Sequence, residues 1–563
     1  MDTVQSKVQT NLKTPIKVLL LFPMILLVVG IYHGLMQVLY RAGIIQSASF
    51  LGLGYYQGLT LHGVINAVLL TTFFAVAYGH FVVSKLTAQI LQIGWVWAST
   101  VFMLLGSVLA AITILTGQST VLYTFYPPLM AHPLFYIGLT LAVVGSWLAF
   151  YVWIAAYLNW RQENPGKKTP MAVVGVLATF FIWQLATLPV AFEILFLLLP
   201  WSLGLTGGVN ALLARTLFWF FGHPLVYFWL MPAYTMYYTS LPKVAGGKLY
   251  SDFAGRFVFL SFCVLSAPLG LHHQFADGGI SVEWKGLHTV LTSLVAIPSI
   301  MTAFTIAASL EHAGRSRGGK GLFAWWKALP FWDQERWLFS YLICGLFIFI
   351  FGGATGVVNA SYNLNNVVHN TAWVPAHFHL TVAGPVFLAI LGMSLLMMAN
   401  CSDKKVPRSN LVLSVPYLWG IGVCIMSSGL FLGGLRGEPR RTNLGLTYLN
   451  KSSELYYADW IPSTYLAMIG GVLMTISMLV FFYVFVQIMF APKVSEEEEL
   501  PISESYHDEQ VGFVLNFKPW VVAGFIAVFV AYYGPIKEVI NSNNPEAKGY
   551  SPNSPLPVRD TND

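Results

Sequence analysis

The chain has 563 residues, of which 56% are hydrophobic and only 10% are charged, and its mean hydropathy is +0.65. A soluble globular domain cannot cover its surface with so few polar residues, so the composition excludes that class. We expect membrane lipid around the chain and no nucleic acid among its partners.

About 13 stretches are long and apolar enough to cross a membrane, for which a helix needs about 20 residues. They begin near residues 16, 60, 94, 133, 171, 213, 256, 286, 338, 372, 411, 463 and 520. The first, around Leu19–Val38, has no small-residue cleavage pattern after it and is predicted to be a retained helix. The sequence therefore predicts an all-α integral membrane bundle. It forms a single domain over 1–563, with spans over about 16–540 and a polar C-terminal tail at 541–563.

In a membrane protein the placement of Lys and Arg matters more than the net charge, which is +6. Basic residues occupy alternate connections, among them Lys13, Lys85, Lys167, Lys248, Arg315 and Lys404. The intervening connections at 117–132, 201–212 and 359–371 contain none. We call the first set the basic end of the bundle. The positive-inside rule makes the basic end cytoplasmic, with the N-terminus inside and the C-terminus outside.

Two polar segments near the end of the chain are predicted to be solvated tails. One runs over 494–510 and includes the acidic run Glu496–Glu499, and the other is the C-terminal tail. The four cysteines lack disulfide or metal-site spacing and are predicted to be packing residues.

Six of the 13 histidines form a pattern inside the predicted spans, where ionisable residues are costly. They are His62 in the second span, His223 in the sixth, His272 and His273 at the end of the seventh, and His377 and His379 in the tenth. The predicted orientation brings all six to the outer half of the membrane. Imidazole is the usual protein ligand of haem iron and of copper, so the six together predict a redox-metal site. The isolated histidines are predicted to be structural: His33, His80, His132, His288, His312 and His507.

The spacing of these histidines suits more than one metal. His377 and His379 point about 200° apart around their helix, because each residue advances about 100°, so one helix can ligate two haems. The adjacent pair His272 and His273, together with His223, offers three nitrogens for copper and leaves a position open for a gas ligand.

Four motifs carry a family resemblance. They are Y-Y-Q-G-L-T-L-H-G, R-T-L-F-W-F-F-G-H-P-L-V-Y-F-W, H-H-Q-F-A-D and V-V-H-N-T-A-W-V-P-A-H-F-H. Nearly the whole chain resembles subunit I of the haem-copper oxidases, most closely the B-type branch that includes thermophilic cytochrome c oxidases. A-type members have a motif similar to H-P-E-V-Y in the sixth helix, whereas this chain has Leu225 in place of the Glu.

The resemblance implies a proton-pumping respiratory oxidoreductase that reduces oxygen to water in a bacterial or archaeal cell membrane. His62 and His379 would bind a low-spin haem of type b, and His377 a high-spin haem of type a or o. His223, His272 and His273 would hold one copper ion. Because the chain has no dinuclear-copper cysteine motif, electrons are expected from cytochrome c through a subunit II that carries such a centre.

Three further residues receive roles from the resemblance. Tyr227 stands four residues after His223 on the same helix face. It would be joined covalently to His223 and could supply one electron and one proton, whereas its plainer interpretation is an aromatic packed beside Pro224. Arg440 and Arg441 would pair with haem propionates, since the guanidinium fork suits carboxylates.

A polar line leads from this site toward the basic end of the bundle. It comprises Tyr234 and Tyr238 on the sixth helix and Ser299, Thr302 and Thr305 on the eighth. Their spacings keep each set near one helix face, as a proton path requires. Ordinary helix-packing hydroxyls are the alternative.

Two positions concern proton pumping. B-type relatives tend to carry Asp where this chain has Asn365, which cannot titrate, so His369 or a propionate would hold pumped protons here. Glu193 lies well inside a span and is predicted to handle protons or to line a water-filled cavity, with a structural hydrogen bond as the alternative.

Two other functions would also need a multi-helix membrane chain with buried polar residues. A nitric oxide reductase keeps the histidines but binds non-haem iron, and Tyr227 argues against it. A redox-silent ion transporter would have no use for six clustered histidines.

Overall fold

The computed structural model describes residues 7–47, 49–508, 512–542, 544 and 546–549. Within these residues, 12 helices are long and apolar enough to cross a membrane. One shorter helix, α7, stands between the sixth and the eighth. The helices are α1 (Thr10–Arg41), α2 (Tyr55–Thr87), α3 (Ile93–Leu115), α4 (Pro133–Glu163), α5 (Met171–Ser202), α6 (Ala211–Thr239), α7 (Asp252–Leu265), α8 (Val282–Ser316), α9 (Leu338–Ala360), α10 (Trp373–Ser402), α11 (Asn410–Leu435), α12 (Ala458–Phe490) and α13 (Phe517–Asn541). Two short helices, Leu241–Ala245 and Tyr362–Val368, lie in connections.

Each of the predicted spans falls on one of these helices, so the all-α membrane bundle is confirmed. Neighbouring helices approach closely where glycines face each other. A Cβ on Gly106 of α3 would lie 2.3 Å from the carbonyl oxygen of Gly138 on α4, and one on Gly422 of α11 would lie 2.9 Å from that of Gly470 on α12. Small residues at helix contacts allow this tight packing inside a membrane.

The seventh span is the exception in length. α7 has only 14 residues, so it extends about 21 Å at about 1.5 Å per residue, less than the hydrocarbon thickness of about 30 Å. Pro268 follows its end and cannot donate a helical hydrogen bond. The chain continues as a 3₁₀ helix over Gly270–Gln274, and its first two backbone N–H groups donate to side chains of other helices. The Gly270 N–H donates to the Tyr532 hydroxyl over 2.8 Å, so the loosened end is held in place.

In the part of the chain that the structure describes, three helices contain a π-helical turn. The turns cover Val64–Leu69 in α2, Glu193–Leu198 in α5 and His379–Val386 in α10. Such turns are rare and occur mostly at functional sites. Each turn here begins at, or two residues after, a residue that the sequence singled out.

Among the described residues, four very short strands join connections at the two ends of the bundle. β1 (Val209–Asn210) pairs antiparallel with β4 (Glu546–Ala547). β2 (Leu249–Ser251) pairs in parallel with β3 (Ser505–His507). The predicted topology puts both members of each pair on the same side of the membrane, as pairing requires.

The prediction that 494–510 is a solvated tail is wrong for its described part, which docks on the basic end. Glu497 accepts from Lys85 at the end of α2 over 2.8 Å. Glu498 pairs with Arg408 over 2.6 Å, and Leu500 is buried. The acidic run looked solvated because its partners are the basic residues of distant connections. In the C-terminal tail, the described residues Glu546 and Ala547 pair with β1, while 543, 545 and 550–563 lie outside the described residues.

Candidate redox-metal site

A cavity of about 1060 Å³ lies inside the bundle, and all six histidines of the pattern line it. Its volume is at the upper limit of the range of about 300–1,000 Å³ that is usual for small-molecule sites. Four elements supply the histidines: α2, α6, the 3₁₀ turn after α7, and α10. The sequence prediction that they converge is therefore matched by the geometry, and their roles as ligands stay predictions.

His62 and His379 face each other from α2 and α10. Their ring centroids are 6.5 Å apart and the ring planes are inclined by 25°. Nδ1 of His62 lies 2.8 Å from the carbonyl oxygen of Gly30, and Nδ1 of His379 lies 2.7 Å from that of Pro375. A hydrogen bond at Nδ1 fixes the tautomer and leaves Nε2 available for a metal, so the pair can ligate one iron from two sides.

Gly34 of α1 packs directly against the His62 ring. A Cβ built there would lie 2.7 Å from Cε1 and 2.9 Å from Nδ1 of the imidazole. The Gly34→Ala variant is expected to displace the ring and to change or remove the low-spin haem signal in the optical spectrum, with an overpacking cost of about 1–3 kcal/mol.

The matched control is Gly94→Ala at the start of α3, where an added Cβ meets nothing within 4 Å. This variant should leave the spectrum unchanged. An unaltered low-spin signal in Gly34→Ala would contradict the assignment of His62 as a ligand.

His377 points into the cavity from the turn before His379. Its Nδ1 lies 3.1 Å from the carbonyl oxygen of Gly352 and 3.0 Å from the hydroxyl of Thr355, both on α9. A Cβ on Gly356 would lie 3.1 Å from the ring. Its free Nε2 suits a second iron. Sequence reasoning missed Thr355, because nothing near it in the sequence marks it as a partner of a histidine.

His223, His272 and His273 form a three-nitrogen cluster. One ring nitrogen of each lies within 4.8 Å of those of the other two. Nδ1 of His223 is 3.1 Å from Nε2 of His273, and Nε2 of His223 is buried without a hydrogen-bond partner among the described residues. Two of the three imidazoles share that hydrogen bond, and three ring nitrogens this close together suit one transition-metal ion.

Two neighbours hold this cluster, and sequence reasoning had not assigned either of them a role. The His273 ring stacks on Trp219 at 3.8 Å with the planes inclined by 10°. Nδ1 of His272 lies 3.0 Å from the hydroxyl of Thr292 on α8. Trp219 lies in the motif around His223, so its place in the sequence was a signal, whereas Thr292 had none.

Tyr227 lies one helical turn from the cluster. Its ring centroid is 4.9 Å from that of His223, and the side chain lines the cavity. The ring also packs on Phe262 of α7 at 5.3 Å. The phenol is therefore close enough to act together with the three histidines.

Three arginines gather at the end of the cavity opposite the basic end. The Arg441 guanidinium lies 5.6 Å from the ring of Tyr123, and its Nη2 is buried without a hydrogen-bond partner among the described residues. Arg440 donates to the side-chain oxygen of Asn370 over 3.1 Å. Arg215, which sequence reasoning missed, pairs with Asp277 over 3.0 Å. The buried, unpaired donor of Arg441 fits an anionic group such as a haem propionate.

His369 lies beside these arginines in the connection between α9 and α10. Burial, and then the charges of Arg440, Arg215 and Arg441, lower the pKa of His369 to about 4, so the imidazole is neutral at pH 7. Asn365 donates to the carbonyl oxygen of Asn359 over 2.7 Å, and its own side-chain oxygen is buried without a partner among the described residues. Neither side chain carries a charge at neutral pH.

The residues of the predicted proton path meet in pairs. The Tyr234 hydroxyl lies 3.2 Å from that of Ser299, and the Tyr238 hydroxyl lies 3.0 Å from that of Thr302. Thr305 is buried one turn further along α8. α6 and α8 thus form a ladder of hydroxyls between the cavity and the basic end.

Glu193 is fully buried in the π-helical turn of α5. Within the described ranges, neither carboxyl oxygen has a hydrogen-bond partner. This finding does not support the structural hydrogen bond as its role and leaves the other predictions, proton handling or an internal water, open.

Fold and site together define a class: a multi-pass membrane protein with six histidines around one internal cavity, three of them close enough to hold a metal ion. The chain matches the family "Cytochrome C and Quinol oxidase polypeptide I" over residues 14–473. It is 42% identical over 507 residues to cytochrome c oxidase subunit 1 of Thermus thermophilus, covering 87% of each chain. A heme-copper oxidase subunit I+III of Aeropyrum pernix is 28% identical over 64% of this chain and 44% of that protein.

A solved structure of a heme-copper terminal oxidase dimer superposes with a TM-score of 0.94 and 46% identity, covering 97% of this chain and 96% of that one. The protein belongs to the family of subunit I of the haem-copper terminal oxidases. It is an oxidoreductase of the respiratory chain that binds haem and copper. A redox-silent transporter is thereby excluded.

Proposed function

We propose that the chain reduces oxygen to water with four electrons, using a low-spin haem, a high-spin haem and one copper ion. One observation supports this most strongly: six histidines line one cavity, and backbone or hydroxyl partners hold Nδ1 of four of them. Such orientation prepares the rings as ligands before any metal binds.

The residues that line the cavity fit each of these cofactors. His62 and His379 would hold the low-spin haem, of type b, and His377 the high-spin haem, of type a or o. His223, His272 and His273 would hold copper, and Arg440 and Arg441 the propionates. When bound, the haem and copper centres would supply electrons and an open coordination position for oxygen.

Tyr227 would supply the remaining electron and a proton. Its phenol is close to His223, whose Nε2 has no hydrogen-bond partner among the described residues. The free Nε2 and the neighbouring ring are the two groups that a covalent His–Tyr link would join. Forming the link would remove one hydrogen atom from the imidazole and one from the phenol ring, with the substrate oxygen as the oxidant. It would be detected as the loss of two hydrogen atoms in the mass of the cross-linked peptides.

The hydroxyl ladder of α6 and α8 would deliver protons from the cytoplasm. Replacing Thr302 by Val keeps the shape but removes the hydroxyl that lies 3.0 Å from Tyr238. Oxygen consumption is expected to slow by at least about tenfold, with unchanged haem spectra, because positioned proton donors contribute that much or more.

Thr179→Val in α5 is the matched control. The Thr179 hydroxyl also donates to a backbone carbonyl, that of Gly175, over 2.7 Å, but it is not part of the ladder. Equal losses in the two variants would show that the effect is structural.

Electrons would arrive from cytochrome c through a subunit II with a dinuclear copper centre. The named relative from Thermus thermophilus is a cytochrome c oxidase subunit, and among the described residues one group of three or more potential metal ligands was found, the histidine cluster. A second copper centre would therefore belong to a partner. The membrane would be a bacterial or archaeal cell membrane, with the N-terminus cytoplasmic.

Pumped protons would be held by the propionates together with His369. The neutral imidazole of His369 lies among positive charges, so it would accept a proton only when a nearby anion compensates them. Asn365 would act as a hydrogen-bond partner and not as a proton carrier.

The test of this function is a reduced-minus-oxidised optical spectrum of the purified complex, with and without carbon monoxide, combined with copper analysis and oxygen consumption. Two haems, of which one responds to carbon monoxide, together with copper would support the proposal and identify the haem types. Iron in place of copper would indicate a nitric oxide reductase, and a preparation without oxygen consumption would overturn the proposal.

A further inference from the structure

The polar face of α8 continues past the hydroxyl ladder to the basic end. Thr305, Ser309 and His312 follow at spacings of four and three residues, which keeps them on one helix face. The Ser309 hydroxyl donates to the carbonyl oxygen of Thr305 over 2.7 Å and accepts from the Tyr250 N–H over 2.9 Å. The ladder therefore reaches the β2 strand at the surface.

The connection between α12 and α13 brings a second histidine to this point. Pairing of β2 with β3 sets Ser251 beside His507. The Tyr250 ring lies 5.0 Å from that of His507 and 5.8 Å from that of His312, and His312 lies 4.6 Å from Tyr506. We call these four side chains the imidazole cluster. All four are exposed, so water reaches them directly.

The charged groups around the imidazole cluster form ion pairs with one another. Lys248 pairs with Glu504 over 2.5 Å, and this contact lowers the pKa of the Glu504 carboxyl, which stays ionised at neutral pH. On α8 itself, Glu311 pairs with Arg315 over 2.6 Å. The other charged pairs of the adjoining connections are Lys243 with Glu499, Lys168 with Asp508 and with Asp252, and Arg256 with Asp252. His312 and His507 are ionisable side chains of this surface that none of these ion pairs includes.

Direct capture of protons from neutral water would limit the turnover rate of a fast oxidase. At a proton concentration of about 10⁻⁷ M, a diffusion-limited rate constant of about 10⁹–10¹⁰ M⁻¹s⁻¹ delivers about 10²–10³ protons per second. Each oxygen molecule consumes several protons, and enzymes commonly turn over about 1–1,000 times per second. A surface group that stores protons and passes them on removes this limit.

We propose that His312 and His507 form the proton-collecting site at the cytoplasmic mouth of the hydroxyl ladder. The inference rests on the proposed function, because it needs the ladder to carry protons. It differs from the sequence-based prediction that these two histidines are structural. Both are positioning residues for proton supply, since neither touches the cavity.

The test uses the purified oxidase complex and the double variant His312→Asn, His507→Asn in weak and in strong buffer between pH 6 and 8. Proton uptake is followed with a pH-indicating dye and oxygen consumption with an electrode. In weak buffer the variant should slow by about tenfold per pH unit as pH rises, because capture then depends on free protons alone, while the unaltered complex changes much less. Added imidazole buffer should restore the rate, and the haem spectra should not change.

The control is His132→Asn on the opposite side of the bundle, where the side chain caps α4 by accepting from the Leu134 N–H and Asn can do the same. A double variant with the pH profile of the unaltered complex would overturn the inference, as would a loss that buffer does not restore. Should the double variant not assemble, His507→Asn alone, in an exposed strand, is expected to show a weaker form of the same buffer-dependent slowing. No oxygen consumption in the unaltered complex would instead overturn the proposed function.

Discussion

Tyr227→Phe is expected to abolish oxygen turnover while both haems and copper stay bound. The ring keeps its packing on Phe262 and its place 4.9 Å from His223, but the hydroxyl is lost, and with it the proposed covalent link to His223. That hydroxyl is the proposed source of one proton and one electron. We expect turnover to fall by at least about 100-fold, the lower limit for loss of a positioned proton donor. Oxygen consumption measures the loss of turnover, and the optical spectrum of the same sample shows whether both haems stay bound.

Tyr237→Phe is the control on the same helix. Tyr237 is fully buried, and its hydroxyl has no hydrogen-bond partner among the described residues, so its removal should be nearly neutral. Normal turnover in Tyr227→Phe would refute the role of the phenol. Loss of haem in that variant would show that the site had been disturbed.

His272→Asn is expected to remove copper without displacing either haem. The nitrogens of the cluster lie within 4.8 Å of one another, and losing one of three leaves an incomplete site. Even outer partners of a ligand change metal affinity by about 10–100-fold, so loss of a ligand itself should exceed that. Asn can still bond to Thr292, which lies 3.0 Å from Nδ1 of His272. Copper per haem, determined by atomic absorption, is the measurement, and it should fall by one copper for every two haems, because the dinuclear centre of the proposed subunit II would keep its copper.

His132→Asn makes the same chemical change outside the cavity and should leave copper unchanged. Full copper in His272→Asn would show that the three-histidine cluster is not the copper site. Loss of haem in parallel with copper would show that the substitution unfolds the end of α7.

The fold was predictable to within a few residues, because a membrane accepts little besides helices of sufficient length. The span predicted from 338 begins at Leu338, and the one predicted from 171 begins at Met171. The shortness of α7 could not be read from hydropathy, since residues after Leu265 remain apolar although Pro268 ends the helix. The docking of Glu497 on Lys85 joins positions 412 residues apart, and a local pattern cannot reveal it.

The histidines of the site were predictable because ionisable residues are rare inside spans. Their partners were not. His62 and His379 are oriented by the backbone carbonyls of Gly30 and Pro375, and every residue has such a carbonyl. Arg215 was overlooked because its role depends on its proximity to Arg440 and Arg441. Only the fold brings these residues together.

The π-helical turns allow the two halves of a helix to be oriented independently. In α10 the half before the turn presents His377 to the cavity, whereas the half after it, Phe387–Ser402, is almost entirely buried against neighbouring helices. In an uninterrupted α-helix each residue advances by about 100°, so the direction of the side chains in one half would determine their direction in the other half. Deleting one residue from His379–Val386 would rotate one half by that angle relative to the other, and ligation and packing could no longer be satisfied together. Insertions and deletions of residues are therefore compatible with the site at the ends of these helices, but not within the π-helical turns.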